Sequence, residues 1–183
     1  MLTAGKRLSV VAEFVGRLVL ASLAVAQSAS QAPKIEGENL AGQKVTLPEA
    51  ALGKVAVLIF GFSRASKGPT SAWTKRISAD YASQPMFAFY QLPVLEDVPR
   101  FVRGMVISSM RKDVSADMRD HFIPILKGEA ELKTLVGYGE PDDAYLVVLD
   151  RAGNVVGQRH GQFTDTSYSQ LRAEVDSQLN RQK

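Results

Sequence analysis

The chain of 183 residues contains no cysteine. Disulfides, thiolate nucleophiles and thiolate metal sites are excluded together. The absence does not fix a compartment, since an exported domain of this size can be stable without disulfides. Histidine is almost as scarce: the two copies, His121 and His160, lie in distant segments and offer no metal-ligand spacing. Charge of one sign is lacking too. The formal net charge is +3, but Lys6, Arg7 and Arg17 against Glu13 fall in the first 26 residues. The remainder holds 19 basic and 18 acidic residues, a net of +1. A body so close to neutral lacks the field that drives phosphate binding, which excludes nucleic acid as a partner. Nor does any apolar run approach the ~20 residues that span a bilayer.

What the N-terminus does carry is a basic start, a short apolar core at Leu18–Ala26 broken only by Ser22, and the small residues Ala24-Val25-Ala26. Together these describe a secretory signal peptide at residues 1–26, with no stable transmembrane segment after cleavage. A mitochondrial presequence is the alternative, against which Glu13 and the compact core count. Residues 27–34 are small, polar and Pro-containing, and are expected to form a flexible leader. Residues 35–183 suit one domain with a sizeable core. The protein is therefore expected to be exported, periplasmic or extracellular.

The domain is organised around Lys54–Tyr81. Val55–Phe62 is apolar without alternation, as in a strand buried on both faces. The loop Ser63-Arg64-Ala65-Ser66-Lys67 follows, then Gly68 and Pro69 as expected N-cap and first helical residue, with Trp73, Ile77 and Tyr81 on one helix face. Asn39–Leu47 reads as an edge hairpin turning at Ala41-Gly42, and Met86–Leu92 as a second strand. Val98, Phe101, Val102, Met105 and Val106 give an apolar helical stripe behind Asp97 and Pro99. Phe122–Leu126 is a short strand made irregular by Pro124, and Gly128–Val136 a short helix. Ala144–Asp150 and Val155–His160 flank the turn Arg151–Asn154 as a hairpin. A last helix, capped by Asp165 or Thr166, carries Tyr168, Leu171, Val175 and Leu179. The order of elements is that of a thioredoxin-like three-layer α/β fold, with a central mixed sheet and an insertion between the second core strand and the closing hairpin.

Residues Phe60-Gly61-Phe62-Ser63-Arg64-Ala65-Ser66-Lys67-Gly68-Pro69-Thr70 resemble the core loop of the Sco-type copper chaperones, with Ala65 and Gly68 at the cysteine positions and Asp142 or Asp143 where the metal histidine would stand. A second resemblance, over roughly residues 36–175, is to the mitochondrial ATP synthase assembly factors named for yeast Atp-ten, cysteine-poor relatives of the redoxins. It rests on the loop with Trp73, on Met110-Arg111-Lys112, on His121-Phe122, and on Ala144–Asp150 with Gly153 and Gly161. That resemblance implies an assembly helper that binds protein.

The candidate partner-binding residues are Arg64, Ser66 and Lys67 in the core loop, Asp142 and Asp143 in the loop the fold would set beside it, and Arg100 and Arg103 on a basic helix face. Arg64 and Lys67 opposite Glu140, Asp142 and Asp143 make a site in which charge replaces thiol chemistry. Exposed pairs of this kind are more commonly solvated, at ~0–1 kcal/mol each. Arg100, Arg103, Ile107 and Arg111 would dock an acidic partner or lipid headgroups, although such faces are commonly just solvated. Met105, Met110, Met118 and the histidines are soft ligands, but methionine in an apolar stripe usually fills gaps. A serine at 63, 66 or 71 with His160 would be an unactivated nucleophile, no G-x-S-x-G being present. No catalytic residue, cofactor or metal is expected. The reading is a non-catalytic binding module for a protein partner; the alternative is a redoxin- or Sco-like oxidoreductase or copper carrier working without cysteine.

Overall fold

The computed structural model describes residues 30–181, so the expected signal peptide lies outside the described residues. The chain forms β1 (Ser30–Gln31), β2 (Ile35–Glu38), β3 (Lys44–Leu47), β4 (Val55–Gly61), α1 (Lys67–Tyr81), β5 (Phe87–Pro93) and α2 (Arg100–Asp113). α3 (Glu129–Val136), β6 (Ala144–Leu149), β7 (Asn154–Gly161) and α4 (Asp165–Asn180) follow, with 3₁₀ turns at Glu49–Ala51 before β4 and at Ala116–His121 after α2.

Every residue of β4 is buried, because strands and helices cover it on all sides. It pairs parallel with β5 from Val55↔Phe87 to Gly61↔Pro93 and antiparallel with β6 from Ala56↔Leu149 to Gly61↔Ala144. β7 and then β1 extend the sheet in the order β1-β7-β6-β4-β5. Alternate residues serve the two faces. Val55, Val57 and Ile59 pack with Trp73, Ile77 and Tyr81 of α1 and with Tyr168, Leu171 and Val175 of α4. Ala56, Leu58 and Phe60 pack with Leu132 and Val136 of α3, Ile35 and Leu47 of the separate β2–β3 hairpin, and Ile123 and Ile125. This is the expected thioredoxin-like α/β arrangement with its central mixed sheet, and α2 and the 3₁₀ turn after it fall in the expected insertion.

Several boundaries move. Ser30 and Gln31 pair with Val155 and Asn154, and the Ala32 N–H donates to the Gly153 carbonyl at 3.1 Å. The ordered sheet therefore takes in part of the segment read as a flexible leader. α1 starts at Lys67 rather than at Pro69. Pro69 is tolerated as the third helical residue because first-turn N–H groups have no intrahelical acceptor to lose. α4 is capped by Thr164, not Asp165 or Thr166: its hydroxyl accepts from the Ser167 N–H and the Ser167 hydroxyl accepts from the Thr164 N–H. The expected strand at Phe122–Leu126 is reduced to isolated parallel bridges, Phe122 to Gln91 of β5 and Ile125 to Val94 just beyond it.

The largest departure is α2, where no residue is buried and Asp97 makes no cap. Phe101 is 88% exposed and Met105 74%. The stripe expected to face the core turns these two side chains to water. Arg103 turns inward instead, its Nε donating to the Val98 carbonyl at 2.8 Å and Nη2 to the Glu96 carbonyl at 2.5 Å. The Arg111 Nε donates to the Leu40 carbonyl at 2.9 Å.

Candidate functional site

The loop between β4 and α1 is tied shut by its own serines. The Ser66 hydroxyl donates to the Ser63 carbonyl at 2.8 Å, and the Ser63 hydroxyl accepts from the Ser66 N–H at 3.1 Å. Ser and Asn/Asp side chains favour such local bonds at helix starts. The Ser63 hydroxyl then donates to Asp142 Oδ1 at 3.0 Å, which joins the core loop to the loop before β6. Glycine at the end of β4 allows this closeness: a Cβ on Gly61 would lie 2.6 Å from Ser66 Oγ and 3.1 Å from Thr70 Cγ2.

Aromatic packing holds the second loop in place. Phe62 meets Tyr138 and Tyr145 edge-on at 5.1 and 5.5 Å. The Tyr145 hydroxyl accepts from the Gly139 and Glu140 N–H groups and donates to the Glu140 carbonyl, all within 2.9 Å. Asp143 engages His160 Nδ1 at 2.8 Å, and that ring stacks on Tyr145 at 5.4 Å.

The expected candidates therefore separate. Asp142 reaches the core loop through Ser63, while Asp143 turns to His160. Arg64 is exposed and joins no ion pair among the described residues. Lys67 pairs across the surface with Asp113 at the end of α2, at 2.9 Å. Ser66 is 1% exposed, so it shapes the loop and has no surface to offer a partner. Arg100 is exposed at the start of α2, whereas Arg103 is tied through Nε and Nη2 to backbone carbonyls. Among the described residues no serine hydroxyl bonds a histidine and no cluster of three His, Asp or Glu side chains could hold a metal ion.

Beside the core loop opens a groove of about 1090 Å³. Arg64, Lys67, Ser71 and Lys75 line one wall, and Val98, Val106, Met110 and Val114 the other. Its floor is polar yet internally satisfied. Thr74 donates to the Gln91 side-chain oxygen at 2.8 Å, and Gln91 donates to the Thr70 hydroxyl at 3.1 Å. Thr70 in turn donates to the Ser66 carbonyl at 2.9 Å. A buried trio of this kind leaves the floor with no free nucleophile. Sequence reading missed Asp113 and this trio. Gln91 in an otherwise apolar strand, facing threonines spaced four apart in the preceding helix, was the signal available.

No family model and no curated protein matches the chain. Among solved structures it is similar to a protein assigned as thiol:disulfide interchange protein DsbE from Chlorobium tepidum, at 18% identity and a TM-score of 0.57, over 83% of this chain and 97% of that one. It is also similar to BsSco, a member of the Sco family of cytochrome c oxidase assembly proteins, at 12% identity and 0.59, over 85% and 96%. A third is the exposed lipoprotein thioredoxin of Streptococcus pneumoniae, at 15% and 0.54, over 78% and 99%. At such identities the likeness is one of architecture: the chain has the thioredoxin-like fold.

Proposed function

We propose that the chain is a non-catalytic thioredoxin-like binding module that acts on a protein partner outside the cytoplasm. One observation carries the reading. At the junction where a thioredoxin-like protein would hold reactive cysteines, this cysteine-free chain closes Ser63 and Ser66 upon each other, with an open groove alongside. Serine hydroxyls cannot carry out dithiol–disulfide exchange, whereas a groove of that size accepts a short peptide segment. The apolar wall of α2 gives such a segment area to bury, and Arg64 and Lys75 at the opposite wall give it polar anchors. The resemblance to the ATP synthase assembly factors points the same way, to an assembly helper. The signal-like N-terminus supports export.

A photoreactive residue at exposed Ser71, which lines the groove, tests this in the native host. The expected result is one dominant adduct, identifiable by mass spectrometry, that disappears when Val106→Arg charges the opposite wall. In parallel, the purified chain should reduce insulin disulfides no faster than buffer. Turnover above background, or adducts indifferent to Val106→Arg, defeats the reading.

A further inference from the structure

The outward arc of α2 carries Arg100, Phe101, Gly104, Met105, Ser108, Arg111 and Lys112, all exposed. Two large apolar side chains thus stand in water with only small residues between them, and cations flank them at both ends. A Cβ built on Gly104 would meet nothing within 4 Å, and none of the described residues covers Phe101 or Met105. The nearest acids lie off it: Asp97 and Asp113 both line the groove. Asp113 is bridged to Lys67, and the Glu96 carboxylate accepts the Glu129 N–H at 2.6 Å. Arg103, on the opposite side, is held through Nε and Nη2 by backbone carbonyls at the helix start, and Arg111 is held through Nε by the Leu40 carbonyl.

We propose that this arc of α2 docks on an anionic lipid surface, with Phe101 and Met105 entering the headgroup boundary and Arg100 and Lys112 meeting lipid phosphates. The charge of the arc decides for an anionic surface. The shape decides for lipid: a convex helix with two projecting apolar tips fits a deformable interface, and a protein partner would need a preformed hollow for each tip. Helices that lie in the membrane interface combine these parts, basic residues with Phe or other apolar side chains on an unpartnered helix face. Docking goes beyond the binding role of the groove, because it places the module at a membrane whatever the groove holds.

Phe101→Trp in the full chain supplies the reporter. Trp73, the chain's one tryptophan, is 1% exposed in the core and gives a constant background. With vesicles of equal phosphatidylglycerol and phosphatidylcholine, the emission of the new tryptophan should shift to the blue and saturate. Phosphatidylcholine alone should leave it unchanged, and about 0.5 M salt should reverse the shift by screening. Arg100→Glu with Lys112→Glu should weaken binding at least about tenfold, each cation near an anionic surface counting for roughly that order. Both positions are exposed, so the fold should persist by circular dichroism. Because the reporter sits on α2, attachment through any other part of the chain leaves it unshifted. An unshifted reporter with anionic vesicles overturns the assignment. So does an equal shift with neutral vesicles, a shift without vesicles that grows with protein concentration and marks a second copy, or a shift with poly-glutamate alone.

Discussion

Gly61 shows how a single missing methyl group sets the approach of α1 to the end of β4. In Gly61→Ala the new Cβ falls 2.6 Å from Ser66 Oγ and 3.1 Å from Thr70 Cγ2. Neither neighbour can simply rotate away. Ser66 Oγ is bonded to the Ser63 carbonyl, and Thr70 lies in the first turn of α1 with its hydroxyl bonded to Gln91 and the Ser66 carbonyl. The helix start must retreat, at a cost of about 1–3 kcal/mol for overpacking. Urea unfolding should show this loss, and Ser66→Ala in the same background should recover part of it, since the double change removes the colliding oxygen. Strictly additive losses would mean that the two residues do not share the strain. The same close contact explains why Ser66 made a poor candidate for partner contact: an exposed-looking polar loop concealed a residue whose hydroxyl faces its own backbone.

Among the elements, α1 and α4 are fastened by a pair of reciprocal tyrosine–aspartate bonds. The Tyr81 hydroxyl of α1 donates to Asp176 of α4, and the Tyr168 hydroxyl of α4 donates to Asp80 of α1, each at 2.7 Å. Arg76 and Arg172 approach Asp80 at 3.4 and 3.9 Å, and Arg76 also lies over the Tyr168 ring. Burial, then the bond to Asp80, pushes the Tyr168 hydroxyl up to about 12, and burial with Asp176 raises Tyr81 further still. A phenol held protonated in the fold contributes stability that is whole below its unfolded value near 10 and is lost as pH rises through the folded one. Stability should therefore decline from about pH 10 through about pH 12, and Tyr168→Phe should flatten that decline while costing roughly 1 kcal/mol at neutral pH. Thermal melts at a series of alkaline pH values would check it; an equally steep decline in the variant would move the cause elsewhere. These helices were legible in the sequence because Trp73, Ile77 and Tyr81, and Tyr168, Leu171 and Val175, are apolar positions whose only use is a covered face. β4 was legible for the same reason. α2 was not. Periodicity says which residues share a face and is silent on which face meets the body, and in α2 Arg103 and Arg111 satisfy carbonyls while Phe101 and Met105 stand outside. The site was half legible: the spacing of elements placed the loop before β6 beside the core loop, but the choice of Ser63 for Asp142 and of Asp113 for Lys67 depends on side-chain reach, which no pattern of residue types records.

At the scale of the whole molecule, the scaffold and the chemistry of its junction are separable. Ser63 and Ser66 stand three apart at a strand-to-helix turn, one half-buried and the other covered, each hydroxyl bonded to the other residue's backbone. The spacing is that of a C-x-x-C pair, set two residues ahead of Ala65 and Gly68, which the Sco resemblance aligns with cysteine, and a helix N-terminus lowers a thiol's pKa by favouring the thiolate. Replacing both residues by cysteine changes each oxygen for sulfur and leaves the sheet, both helical layers and the groove in place. Ser63→Cys with Ser66→Cys should therefore form an intramolecular disulfide when treated with diamide, so that maleimide no longer labels it. After reduction it should turn over insulin disulfides where the parent chain does not. Either single variant should label with maleimide before and after mild oxidation, and neither should reduce insulin catalytically, which ties any activity to the pair. Melting temperatures within a few degrees of the parent would show that the fold tolerates the sulfur atoms. If the double variant folds but stays fully reduced under diamide, the junction has departed from redox-competent geometry as well as from redox-competent residues. Its closing serines would then mark a loop rebuilt for binding.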